Sequence, residues 1–180
     1  MTVEVVVAIA AGILASSFAL IAFGSDSVIE LASAFVVLRH LKIDAGGSTT
    51  QGEKGALLTS LLLMSIVPLI GISSTYSYFF LKIRPEASLP GLLLAAGAIV
   101  VMPYLWRQKR KIGLETGCTP LSIDALESAT CFFMSVALFA GLLLNFLFHA
   151  GWFDYGATLV ILGFIGFEAR ESIIEARRNQ

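Results

Sequence analysis

The stretch "GSDSVIELASAFVV", Gly24 to Val37, sets Asp26 and Glu30 into a run that otherwise suits lipid. Residues four apart lie on one helical face, one turn from each other, so both carboxylates point the same way. Each costs roughly 2.5–3.5 kcal/mol if it is ionised at the centre of a membrane helix. The surrounding apolar region, Val5 to Leu38, is too long for one span of about 20 residues and too short for two full ones with a loop. A tight helical hairpin satisfies both limits. Its turn falls either near Ser16-Ser17, which buries Asp26, or at Gly24-Ser25, which leaves Asp26 at the membrane surface.

Composition extends that reading to the rest of the chain. Of the 180 residues, 57% are hydrophobic and 14% charged; soluble domains carry about 25% charged residues. The mean hydropathy is +0.85. These values predict an all-α membrane protein, a six-transmembrane-helix bundle with no soluble domain, in which residues 1–180 form a single transmembrane domain. The spans fall at about 3–15, 18–41, 56–80, 89–106, 121–148 and 155–174, with Pro68 as a kink in the third. The first run follows Glu4 without a basic leader region, and therefore reads as a mature span. A net charge of −1 with no basic stripe argues against a nucleic-acid partner. Cys118 and Cys131 are too few and too embedded for a disulfide framework. With the termini in the cytoplasm, ten of the 12 Lys and Arg residues fall inside and Lys82 and Arg84 outside, the asymmetry that orients membrane helices. Tyr76, Tyr78, Trp152 and Phe153 then sit near the outer interface.

Once Glu4, Glu168 and Glu171 are set aside at span ends, four acidic residues remain within predicted spans: Asp26 and Glu30 in the second, Asp124 and Glu127 in the fifth. Unpaired, they would cost on the order of 10–14 kcal/mol together, and no Lys or Arg falls within a span, away from its ends, to offset them. A bound cation, a proton or water must do so. In "DALESATC", Asp124, Glu127 and Cys131 follow at i, i+3 and i+7, one stripe of a helix. Facing stripes on the second and fifth helices supply several carboxylate oxygens and one sulfur, a tetrahedral metal site in outline. The candidate metal ligands are Asp26, Glu30, Glu127 and Cys131. Asp124 is either a further or supporting group or an acid reaching for the interface.

Other polar residues read more plainly. Ser25, Ser27, Ser33 and Ser128 suit close helix packing, and His40 and His149 lie at helix ends. Glu168 and Glu171 read as the solvated cytoplasmic end of the sixth helix. Small residues in "GLLLAAGAI" and "LGFIGF" offer close-packing faces. No nucleophile–base pair is present, so no catalytic residue, no resident cofactor and no enzyme activity are expected.

With these motifs in place, the chain resembles the membrane domain of the cation diffusion facilitator family, transporters that exchange divalent transition metals for protons. "DSVIE" is similar to the family's paired acids on the second helix, at Asp26 and Glu30. "DALESATC" is similar to its fifth-helix motif, with Asp124 at a leading Asp, Glu127 at a His position and Cys131 at an Asp position. "MPYLWRQKRKIG" resembles the basic link between helices four and five, and "GWFDYGATLVILGFIGFEARES" the sixth helix, entered through Asp154. The resemblance runs over nearly the whole chain and favours the turn near Ser16.

It implies a divalent metal ion as substrate, with zinc foremost and iron, cobalt, cadmium and manganese open. It also implies proton-coupled efflux, a homodimer in membrane lipid, and a place in a bacterial inner membrane with both termini cytoplasmic. Glu127 and Cys131 leave the site without an imidazole. The missing cytoplasmic metal-binding domain points to the transmembrane-domain-only bacterial branch. A non-transporting membrane metal-binding or assembly protein of the same fold is the alternative.

Overall fold

The computed structural model describes residues 2–43, 50–86, 88–116 and 119–178; side chains at 33–61, 63, 113–114, 116–127 and 171 onwards lie outside the description. Its elements are α1 (Thr2–Ala15), α2 (Phe18–Ile43), α3 (Thr50–Tyr76), a π-helical turn (Ser77–Leu81), α4 (Leu89–Thr116), α5 (Thr119–Phe148) and α6 (Trp152–Arg178). No strand occurs among the described residues, and the architecture is an all-α membrane bundle.

The first turn lies at Ser16. Ser17 N–H donates to the Gly12 carbonyl at 2.9 Å and Ser16 N–H to that of Ile13 at 3.3 Å, while Ser16 takes a left-handed conformation with φ of 52°. This hydrogen-bonded helix stop usually uses glycine at the left-handed position. Gly24, the alternative turn, instead continues α2. A Cβ there would come within 3.0 Å of Ala8 and 2.9 Å of Ile9, so its absence lets α1 and α2 lie against each other. Gly141 does the same for α5 and α6, where a Cβ would meet that of Ala157 at 2.4 Å.

Helix α1 pairs with α2, α3 with α6 and α4 with α5, while α2 also packs on α3, α5 and α6. Buried residues trace one inward stripe on α5, with Cys131, Met134, Leu138 and Leu142, and on α6, with Asp154, Ala157, Ile161 and Ile165, the three- and four-residue steps of helices buried on one side. Helix α2 is enclosed nearly all round, burying Ala19, Leu20, Ala22, Phe23, Asp26, Ser27 and Ile29. Outward positions such as Leu93, Val100, Phe148 and Leu159 are large, apolar and exposed, as a lipid-facing surface requires. Gly97, Gly163 and Gly166 would meet nothing within 4 Å, so these glycines of the two small-residue segments do not serve packing within the described chain.

Among the described residues, four stretches are long and apolar enough to cross a membrane: Met64–Leu81, Leu89–Ile112, Ser128–Phe148 and Trp152–Arg170, with Thr2–Ala15 a shorter apolar helix. Helix α4 does not stop at Trp106. "RQKRK" stays helical through to Thr116, because Arg, Gln and Lys are good helix formers and neither Gly nor Pro interrupts them before Gly113. Arg110 lies over the Trp106 ring at 5.5 Å.

The end of the bundle near Ser16 is tied by polar contacts. The extended segment between the π-helical turn and α4 is pinned by Glu86 N–H to the Ala15 carbonyl at 2.9 Å, Asn145 to the Pro85 carbonyl at 3.0 Å and Tyr155 to the Ile83 carbonyl at 2.8 Å. Ser17 caps α2 by accepting from Leu20 N–H at 3.2 Å. Asp154, arriving from α6, accepts from the Ser17 hydroxyl, from Phe18 N–H at 3.0 Å and from Ala19 N–H at 3.4 Å. A carboxylate at a helix start satisfies orphan donors and complements the dipole. Here it comes from another helix and locks α6 to α2.

Candidate metal centre

Asp26 lies nine residues beyond the Ser17 cap, about 13 Å along α2. Like Ala19 and Phe23 on the same helix, it is buried. Asp26 is 1% exposed and Glu30, one turn further, is half-buried. Cys131 comes from the inward stripe of α5 and is also 1% exposed.

The two helices bring these three side chains together. One donor atom from each of Asp26, Glu30 and Cys131 lies within 4.8 Å of the others, and the Cys131 thiol donates to Glu30 Oε1 at 2.9 Å. In a tetrahedral site with bonds of 2.0–2.3 Å, neighbouring donors stand about 3.3–3.8 Å apart. Side-chain adjustments of about 1 Å therefore suffice to close the triangle on an ion. Two carboxylates and a thiol in one buried space repel one another when ionised. A divalent cation at their centre reverses that sign.

Helix α5 bends its own hydrogen bonding beside the cluster. Ser135 donates to the Cys131 carbonyl at 2.7 Å, competing with the regular helix bond there. The remaining predicted ligands, Glu127 and the neighbouring Asp124, belong to α5, but their side chains lie outside the described residues, as does that of His40. His149 ends α5 in a left-handed conformation with φ of 49° and is exposed.

Two groups near the site differ from their sequence reading. Lys109 belongs to the segment that resembles the basic link. It lies on α4, and its amine donates to Ser128 Oγ at 2.9 Å, one turn before Cys131 on α5. A cation therefore does reach in beside this stripe, because the four-carbon stem of Lys carries the amine from α4 across to α5. Glu168 is not a wholly solvated end. It falls within the apolar stretch Trp152–Arg170, and one of its carboxylate oxygens is buried. The signal was available: Glu168 follows Asp154 by four turns, which returns it near the same face.

Asp154 lies in the hydrogen-bonded junction at the Ser16 end and belongs to no part of this cluster. No curated protein matches the chain. Residues 53–179 match the family model described as the cation efflux transmembrane domain. The match spans α3 to α6 and includes Cys131, whereas Asp26 and Glu30 precede it, so the likeness of "DSVIE" to the family's second helix stands outside the matched residues. An all-α membrane bundle of this kind, with the match running over most of its length, identifies the chain as a member of the cation diffusion facilitator family, an integral membrane cation transporter.

Proposed function

We propose that the protein exports a divalent transition metal, zinc foremost, in exchange for protons, and that Asp26, Glu30 and Cys131 hold the ion in transit. The observation that carries this reading is the convergence of three donor atoms within 4.8 Å, from α2 and α5, in a cation transporter. Glu127, one turn before Cys131 on α5, is the proposed fourth ligand, with Asp124 behind it. A thiolate with carboxylates suits zinc and cadmium, and iron, cobalt and manganese compete according to geometry and supply.

Proton coupling follows from the same atoms. The hydrogen that Cys131 gives to Glu30 occupies the space a metal needs, because metal binds the thiolate and the ionised carboxylate. Metal and proton therefore exclude each other at one site. The ligands come from two helices, so a relative movement of α2 and α5 between inward-open and outward-open states would break the donor set and release the ion. The excess of basic residues at the end opposite Ser16 supports a cytoplasmic placement of both termini, in a bacterial inner membrane and as a homodimer.

Reconstituted vesicles test the proposal. Wild-type protein should move zinc against an imposed pH gradient and carry protons the other way. Glu30→Ala and Cys131→Ala should reduce zinc flux at least tenfold. Flux at the wild-type rate in both variants, for every divalent metal offered, would contradict the assignment.

A further inference from the structure

Helix α6 brings another acid to the depth of the candidate centre. Asp154 bonds to the first residues of α2, so α2 and α6 start at the same end of the bundle and run the same way. Along α6, Glu168 lies 14 residues from Asp154, about 21 Å; along α2, Glu30 lies 12 residues from Phe18, about 18 Å. The two acids stand at nearly one level. Glu168 follows Ile161 and Ile165, both fully buried, by seven and three residues, and precedes Ala169, also fully buried. One of its carboxylate oxygens is enclosed. Glu168 is nevertheless not one of the three residues whose donor atoms lie within 4.8 Å of one another.

We propose that Glu168 is the charge-setting residue of the metal centre: a carboxylate from α6 that acts on the ion through space and biases the site towards divalent cations. This inference rests on the reading of Asp26, Glu30 and Cys131 as ligands. Its physical basis is that a Coulomb interaction scales with the charge of the ion. A carboxylate that does not coordinate therefore attracts a divalent cation twice as strongly as a monovalent one at the same distance. Low-dielectric surroundings lengthen the reach of that effect, and α6 can deliver it without joining the donor set.

Cadmium binding to the purified, lipid-reconstituted protein provides the test, followed by the near-ultraviolet absorption of a cadmium–thiolate bond. Glu168→Gln keeps shape and removes charge. It should weaken cadmium binding about tenfold while leaving the thiolate band in place at saturation. Glu168→Asp, which restores the charge, should recover most of the affinity. Unchanged affinity in Glu168→Gln would overturn the inference, as would equal losses in the Gln and Asp variants, which mark a packing role. Loss of the thiolate band at saturation in Glu168→Gln would likewise overturn it, since the residue would then hold the ligands in place. Absence of the band in the wild type would instead remove the metal-centre reading itself.

Discussion

Two buried aspartates lie on facing helices about 13 Å apart in depth, and their surroundings are opposite. Asp154 meets a hydroxyl and two backbone N–H groups at the start of α2. Its charge is used up locally, as the cap of another helix. Asp26 meets a carboxylate and a thiol, groups that reinforce its charge when ionised. Burial alone does not separate the two, since Asp154 is 0% and Asp26 1% exposed. The proposed division rests on the neighbours: hydrogen-bond donors around Asp154 make a joint, and the carboxylate and thiol beside Asp26 make the proposed place for a cation.

The largest expected effect belongs to the joint. Asp154→Ala strands the Ser17 hydroxyl and the Phe18 and Ala19 amides, and breaking such a buried charged network costs about 3–5 kcal/mol. The thermal midpoint of the metal-free protein should fall sharply, measured by unfolding in detergent. The fraction that remains folded should still gain stability from zinc.

Asp26→Asn should give the reverse pattern. Metal that binds only the folded state adds about 2.7 kcal/mol at a concentration 100 times its dissociation constant. In Asp26→Asn that zinc-dependent rise in midpoint should vanish, while the metal-free midpoint stays close to that of the wild type. If both variants lost the same property, the division between joint and site would be wrong.

The smallest effect concerns the turn that sets the depth of Asp26. Ser16 holds a left-handed conformation that costs a residue with a Cβ roughly 1 kcal/mol relative to glycine. Ser16→Gly should therefore raise the midpoint slightly and leave zinc affinity unchanged. A fall in stability would mean that the hairpin does not turn there.

Much of this arrangement was legible in local sequence. The i, i+4 spacing of Asp26 and Glu30 places both on one face, and hydropathy marks the helices around them. The turn was harder, because both Ser16-Ser17 and Gly24-Ser25 offer small polar residues. Only tertiary packing decides, since Gly24 is needed where α1 presses Ala8 and Ile9 against α2. Hydropathy ends the fourth span at Trp106, while helix propensity carries α4 on to Thr116.

The contacts of single polar residues were less accessible. Asp154 lies 136 residues from its Phe18 partner, and nothing in "GWFDYG" announces that it caps α2. Lys109 reads as part of the basic link and Glu168 as a solvated helix end because each stands near a cluster of charges in the chain. Helical register carries both inward, Lys109 to Ser128 and Glu168 to the level of Glu30. Charge-rich helix ends read as solvated on average, while the face of each residue decides individually.

The most direct test of the central claim is X-ray absorption at the zinc edge of the loaded protein. One sulfur at about 2.3 Å, with oxygen neighbours at about 2.0–2.2 Å, is the predicted first coordination sphere, and Cys131→Ser should lose the sulfur alone. A zinc site with no sulfur in the wild type, or a sulfur signal that survives Cys131→Ser, would contradict the assignment of Asp26, Glu30 and Cys131 as the place where the ion rests.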